Sequence, residues 1–170
     1  MTEQDIRKGL NGVVADYTAV SKVNPETNSL LYRGYPVQEL AEHCTFEEVA
    51  YLLWNGELPN EEQLAEFRGG CMENRDIDEE LIQVINFMPK DCHPMDVLRT
   101  AVSYLGAEDP EKFTPDSDHL RGIGRKLLAK LPTIVATDIR RRQGKEYIAP
   151  DKEKGFSENF LWMVFGDEEN

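Results

Sequence analysis

The side chains with most chemistry to offer are three histidines, three cysteines and a run of arginines. His93 and Asp96 stand three residues apart at what reads as a helix start, so they share a face and could exchange a proton as imidazole and carboxylate. A structural reading competes and is the stronger one. Aspartate in a first turn favours the helix dipole, and His93, directly before Pro94, falls at the cap position. Arg140, Arg141 and Arg142 form the densest basic cluster and could hold a phosphate or a carboxylate. They also fall at the end of a long helical pattern, where cations favour the negative pole, and capping outweighs ligand binding there.

Two other groupings resemble sites and fail on inspection. Gly122-Ile-Gly124 looks like the start of a nucleotide-binding loop, but no strand precedes it and the pattern is not completed. Glycines in such a place more often permit close helix packing. Cys92 beside His93 lacks a third ligand at metal spacing and lacks an orienting Asn or Asp, so neither a metal site nor a nucleophile is assigned and a partly buried thiol is expected. Cys44, Cys71 and Cys92 contain no CxxC pair, and an odd number suits a reducing compartment.

These residues belong to a chain of 170 residues with 40% hydrophobic and 30% charged side chains, the profile of a globular domain with a real core. The net charge of −13 argues against nucleic acid and anionic membranes as partners, and opposes polyanionic ligands unless a local basic site overrides it. No apolar run approaches a membrane span, and the N-terminus lacks the basic and apolar regions of a secretory signal. The expected location is the cytoplasm.

The pattern predicts an array of helices with a small β arm. Residues 18–23 and 29–33 flank a turn containing Asn24, Pro25 and Asn28, which predicts a β-hairpin that must pack on the body or on a partner. A short helix is expected over 37–44. Thr45 and Glu48 then form a capping box for a helix ending at Gly56 and Pro59. Asn60 with Gln63 caps the next helix, which Gly69-Gly70 should weaken. Asp78 opens another, and Pro94 begins one through Leu105. Residues 106–115 read as an acidic loop, and 116–143 as a long helix bent at Pro132. Ser157 is expected to cap the last helix, 158–165. Its Phe160, Leu161, Trp162, Met163, Val164 and Phe165 are apolar nearly all round, which calls for neighbours on several sides.

Several blocks occur in an order that points to a known family: Gly9-Leu-Asn-Gly-Val-Val-Ala15, Asn28-Ser-Leu-Leu-Tyr-Arg-Gly-Tyr-Pro-Val-Gln38, Ala50-Tyr-Leu-Leu-Trp-Asn-Gly-Glu-Leu-Pro59, His93-Pro-Met-Asp-Val-Leu-Arg-Thr-Ala-Val-Ser103, Leu127-Leu-Ala-Lys-Leu-Pro-Thr-Ile-Val-Ala136 and Glu158-Asn-Phe-Leu-Trp-Met-Val-Phe-Gly166. Together they resemble the N-terminal half of the citrate synthase family, with the second block tilting toward its 2-methylcitrate synthase branch. The resemblance implies an all-α homodimer with a large helical domain and a smaller mobile one. It implies joining propionyl- or acetyl-coenzyme A to oxaloacetate, followed by hydrolysis of the thioester. In the family an Asp removes the proton, one His stabilises the enolate, a second His polarises the ketone, and Arg side chains hold carboxylates.

Those groups lie in a His-Gly-Gly motif, a Gly-His-Arg motif and later Asp and Arg positions. The histidines here precede Cys44, Pro94 and Leu120, outside that context. No catalytic, metal or cofactor-binding residue is therefore assigned. If coenzyme A touches this half, the arginine cluster with Arg125, Lys126 and Lys130 is the place to look. The expected organisation is an arm over 1–35 and an incomplete helical large domain over 36–170, inactive alone and prone to self-association. Two further roles remain open: a split-enzyme subunit pairing with a complementary C-terminal half, and a non-catalytic interaction or regulatory protein pairing with a complete synthase.

Overall fold

A computed structural model describes residues 9, 12–14, 16–109 and 116–167, in two units that meet in sequence between Asn60 and Glu61. The first unit holds a small antiparallel sheet of β1 (Ser21–Asn24), β2 (Ser29–Tyr32) and β3 (Tyr35–Pro36), ordered β1-β2-β3. Val23 faces Leu30 across the first pair and Leu31 faces Pro36 across the second. The sequence reading expected the hairpin and missed the third strand. That strand is two residues long and ends in proline, which is tolerated only where no ladder donor is needed. It is joined to β2 by Arg33 and Gly34, both at positive φ (49° and 93°), the backbone that a tight two-residue turn between twisted strands requires.

Arg33 carries a side chain at a φ where glycine is preferred, and hydrogen bonds hold it there. Its backbone N–H donates to Val20 at 2.9 Å, and Nε and Nη2 donate to the Leu53 carbonyl at 3.1 and 2.8 Å. Leu53 lies in the last turn of α2 (Phe46–Asn55), which follows α1 (Val37–His43). The Thr45–Glu48 capping box is present in full, and Gly56 ends α2 in the left-handed conformation at φ 94°.

The second unit is built around one helix. In it follow α3 (Glu61–Asn74), α4 (Glu79–Phe87), α5 (Pro94–Glu108), α6 (Ser117–Arg142) and α7 (Phe156–Phe165), and α6 packs against α3, α4, α5 and α7. Leu81 and Ile85 of α4, Val97 and Ala101 of α5 and Ile134 of α6 form one buried cluster, while Ala136 of α6 packs with Met163 and Val164 of α7. Each large aliphatic side chain buried this way is worth about 1.5–3 kcal/mol relative to exposure.

Two expectations about these helices need correction, the end of α5 and the cap of α7. α3 runs through Gly69 and Gly70, where the sequence predicts a weak point, and continues to Asn74. Gly106 is likewise inside α5, which runs past Leu105 to Glu108; residues 110–115 of the expected loop lie outside the described residues. In both helices tertiary packing offsets a glycine penalty of about 1 kcal/mol per residue. Pro132 sits inside α6, where it withholds the donor that the Leu128 carbonyl would otherwise receive. Finally, Ser157 is not a cap. α7 starts at Phe156 behind an extended Gly155 with no side-chain cap, so Ser157 falls in the first turn.

Candidate functional site

The arginine run is the leading candidate for an anion site, and the structure buries Arg140 and Arg141 and half-buries Arg142. α6 ends beside the segment 88–92 and the segment that leads to α7. Arg140 donates from Nε to the Glu146 carbonyl and from Nη1 to the Val164 carbonyl at 2.9 Å. Arg141 donates to Asp138 Oδ1 from Nε and Nη2 at 3.1 and 2.7 Å, and from Nη1 to the Met88 carbonyl. Arg142 donates to Asp138 Oδ2 at 2.8 Å and to the Lys90 carbonyl at 2.7 Å. The hydrogen bond to Asp138 holds the Arg142 guanidinium above its ordinary pKa.

Capping of their own helix is therefore not what these side chains do. The last α6 carbonyls instead receive the backbone N–H groups of Gln143, Gly144 and Lys145. The guanidiniums reach across to other segments, and Asp138 supplies the counter-charge from one turn upstream. This is a clamp joining α6 to the 88–92 segment, the Glu146 segment and α7.

His93 and Asp96 are not brought together as an acid–base pair. His93 is the N-cap of α5, its Nδ1 accepting from the Met95 N–H at 3.1 Å, while Asp96 binds Arg99 Nη2 at 2.9 Å. Cys92 is a free, half-buried thiol that receives Arg142 Nη2 at 3.7 Å. Among the described residues no three His, Cys, Asp or Glu side chains gather in a way that could hold a metal ion.

One pair escaped the sequence reading. His119 Nε2 lies 3.1 Å from Asp109 Oδ2, both side chains largely buried at 21% and 16% exposure. They stand ten residues apart, Asp109 just after α5 and His119 in the first turn of α6, so no helical spacing rule relates them. Asp116 fixes the backbone at this point by accepting from the His119 N–H at 3.1 Å as the α6 cap. The pair borders a cleft of about 550 Å³ between α5 and α6, with Lys126 and Lys130 also on its wall. Hydrogen bonding of this kind can orient an imidazole or share a proton. It brings no nucleophile with it.

The constellation expected of a condensing enzyme needs two imidazoles and a carboxylate converging on one reacting carbon. Each histidine has another local role: in the first unit His43 is exposed beside Glu42, and in the second His93 caps α5 and His119 faces Asp109. The family profile described as "Citrate synthase, C-terminal domain" matches residues 9–170. The chain belongs to the citrate synthase family. Its sequence is 59% identical over 169 residues to 2-methylcitrate synthase 1 of Corynebacterium glutamicum, covering 99% of this chain and 44% of that protein. It is 56% identical over 162 residues to a citrate synthase of Mycolicibacterium smegmatis, covering 95% of this chain and 43% of that protein.

The citrate synthase fold is confirmed at the level of backbone. The crystal structure of citrate synthase from Pyrobaculum aerophilum superposes with a TM-score of 0.88 at 33% identity, over 97% of this chain and 43% of that one. This member of the family thus spans less than half the length of the relatives it matches. Its mostly helical class, with a small N-terminal sheet, is the one the sequence pattern led to. Among the described residues no helix is long and apolar enough to cross a membrane.

Proposed function

We propose that this chain forms the N-terminal helices of a 2-methylcitrate synthase, which joins propionyl-coenzyme A to oxaloacetate and consumes water to hydrolyse the thioester and free coenzyme A. The observation that carries this reading is the 59% identity to a 2-methylcitrate synthase over 169 residues. The 56% identity to a citrate synthase supports acetyl-coenzyme A as a second acyl donor. In this reading residues 1–35 are the arm, 36–170 belong to the large domain, and the protein is a cytoplasmic homodimer.

The same reading makes the 170-residue chain inactive alone. Removing a proton beside a thioester needs a positioned base together with a donor aimed at the developing enolate oxygen. His93 and His119 are engaged in a cap and an aspartate contact, and Asp138 is held by two arginines. Pairing with a complementary half, or with a complete synthase as a non-catalytic partner, is favoured by the outer face of α7. There Leu161 and Phe165 are 54% and 37% exposed, four residues apart on one apolar stripe.

The test measures coenzyme A release from both acyl donors, with oxaloacetate, by the chain alone and after mixing with a polypeptide covering the rest of a relative's length. Turnover only in the mixture, faster with the propionyl donor, supports the proposal. Oxaloacetate-dependent thioester cleavage by the purified chain refutes its inactivity. A stable mixed complex that turns over neither donor refutes the synthase reading.

A further inference from the structure

The α5–α6 cleft has properties that neither the condensation reading nor the packing of this unit explains. Its volume of about 550 Å³ falls in the range of sites for small organic molecules. Leu105 of α5 faces Ile123 and Leu127 of α6 along its walls, giving an apolar trough. Gly106 and Gly122 also line it, one from each helix. An added Cβ on either would meet nothing within 4 Å, so neither glycine serves close packing. The expectation that Gly122 permits close helix approach is thereby corrected. A glycine inside a helix is unfavourable by about 1 kcal/mol relative to alanine, and here two of them keep both walls of the same trough low.

Two lysines and two carboxylates line this cleft, so its formal charge is balanced in a chain that is strongly acidic as a whole. Of its two carboxylates, Asp109 faces His119 and Glu108 accepts from the Tyr104 hydroxyl. Lys130 reaches only a neutral acceptor, the carbonyl of Asp76. Lys126 has no hydrogen bond or ion pair among the described residues. Two ammonium groups without a carboxylate partner thus stand beside an apolar trough, in a protein of net charge −13. A single carboxylate satisfies both, and an apolar tail fills the trough.

We propose that the α5–α6 cleft binds an amphipathic monocarboxylate, its head on Lys126 and Lys130 and its tail against Leu105, Ile123 and Leu127. Calorimetric titration of the 170-residue chain with octanoate, and with octanol as the uncharged probe, tests it, together with amide shifts of Gly106 and Gly122. The expected result is saturable octanoate binding that shifts both glycine amides and is about tenfold tighter than octanol, the worth of one charge-assisted hydrogen bond. Lys126→Glu should weaken octanoate about tenfold without weakening octanol. Gly122→Leu should abolish binding of both while helicity is retained. Equal affinity for octanoate and octanol overturns the proposal, as does an unaffected Lys126→Glu variant. So does a dimer in which a second copy covers these glycines and no octanoate binds.

Discussion

Asp138 and Arg141 form a buried ion pair one helical turn apart, Oδ1 receiving Nη2 at 2.7 Å with the side chains 9% and 6% exposed. The carboxylate's other oxygen holds Arg142, so one aspartate anchors two guanidiniums that tether α6 to Met88 and Lys90. Asp138→Ala leaves Arg141 charged and buried without its counter-ion, at a cost of about 3–5 kcal/mol. Asp138→Asn keeps an acceptor and loses less. Urea unfolding at neutral pH should show a large fall in midpoint for alanine and a smaller one for asparagine; an unchanged alanine midpoint refutes the clamp.

Tyr147 gives the fold an alkaline limit. Its hydroxyl donates to Asp76 Oδ1 at 2.6 Å, and burial, followed by that hydrogen bond and the aspartate's charge, pushes its pKa far above the ordinary tyrosine value. In the unfolded chain the phenol ionises near pH 10. Above that pH the unfolded state has lost a proton that the folded state still holds, so stability falls as pH rises. Below it both states are protonated and the contribution is complete. Unfolding midpoints measured from about pH 8 to 11 should therefore decline at the alkaline end, and Tyr147→Phe should flatten that decline while losing about 1 kcal/mol at neutral pH. An identical alkaline slope in the variant refutes the assignment.

How far such features were legible in the sequence follows from their range. Thr45 with Glu48, Asp78 and Pro94 act on backbone groups within three residues, so local chemistry alone located those helix starts. The arginine run was visible as charge, but its destination was not. Met88, Lys90, Glu146 and Val164 become neighbours of α6 only after the helices pack. The same holds for His119 and Asp109, which no periodicity brings together. β3 was missed because its pairing depends on positive φ at Arg33, a residue type that carries no signal for that conformation.

Gly166 fixes how the chain leaves α7. Its backbone sits at φ 67° and ψ −141°, a region essentially closed to residues with a side chain, and an added Cβ would lie 3.0 Å from Ile148 Cδ1. Gly166→Ala should cost about 1–3 kcal/mol, mostly as backbone strain. Trimming the neighbour in a Gly166→Ala, Ile148→Val double variant relieves the contact and leaves the strain. Thermal unfolding of both variants separates the terms: full recovery in the double variant would show that the clash, and not the backbone, had been the obstacle.

His93 offers the clearest separation between a cap and a proton-transfer group. Its Nδ1 accepts from the Met95 N–H, one of the donors that a helix start leaves without a partner, and Asp96 is turned to Arg99 instead. Asparagine can accept the same hydrogen bond and is a preferred cap, yet it cannot carry a proton as imidazole does. His93→Asn should therefore leave the unfolding midpoint unchanged or raise it, whereas His93→Ala should lose about 1 kcal/mol. In a mixture of this chain with its complementary half, turnover should be the same for wild type and His93→Asn. A variant that folds as well as wild type but loses turnover would restore the acid–base role that the geometry takes away.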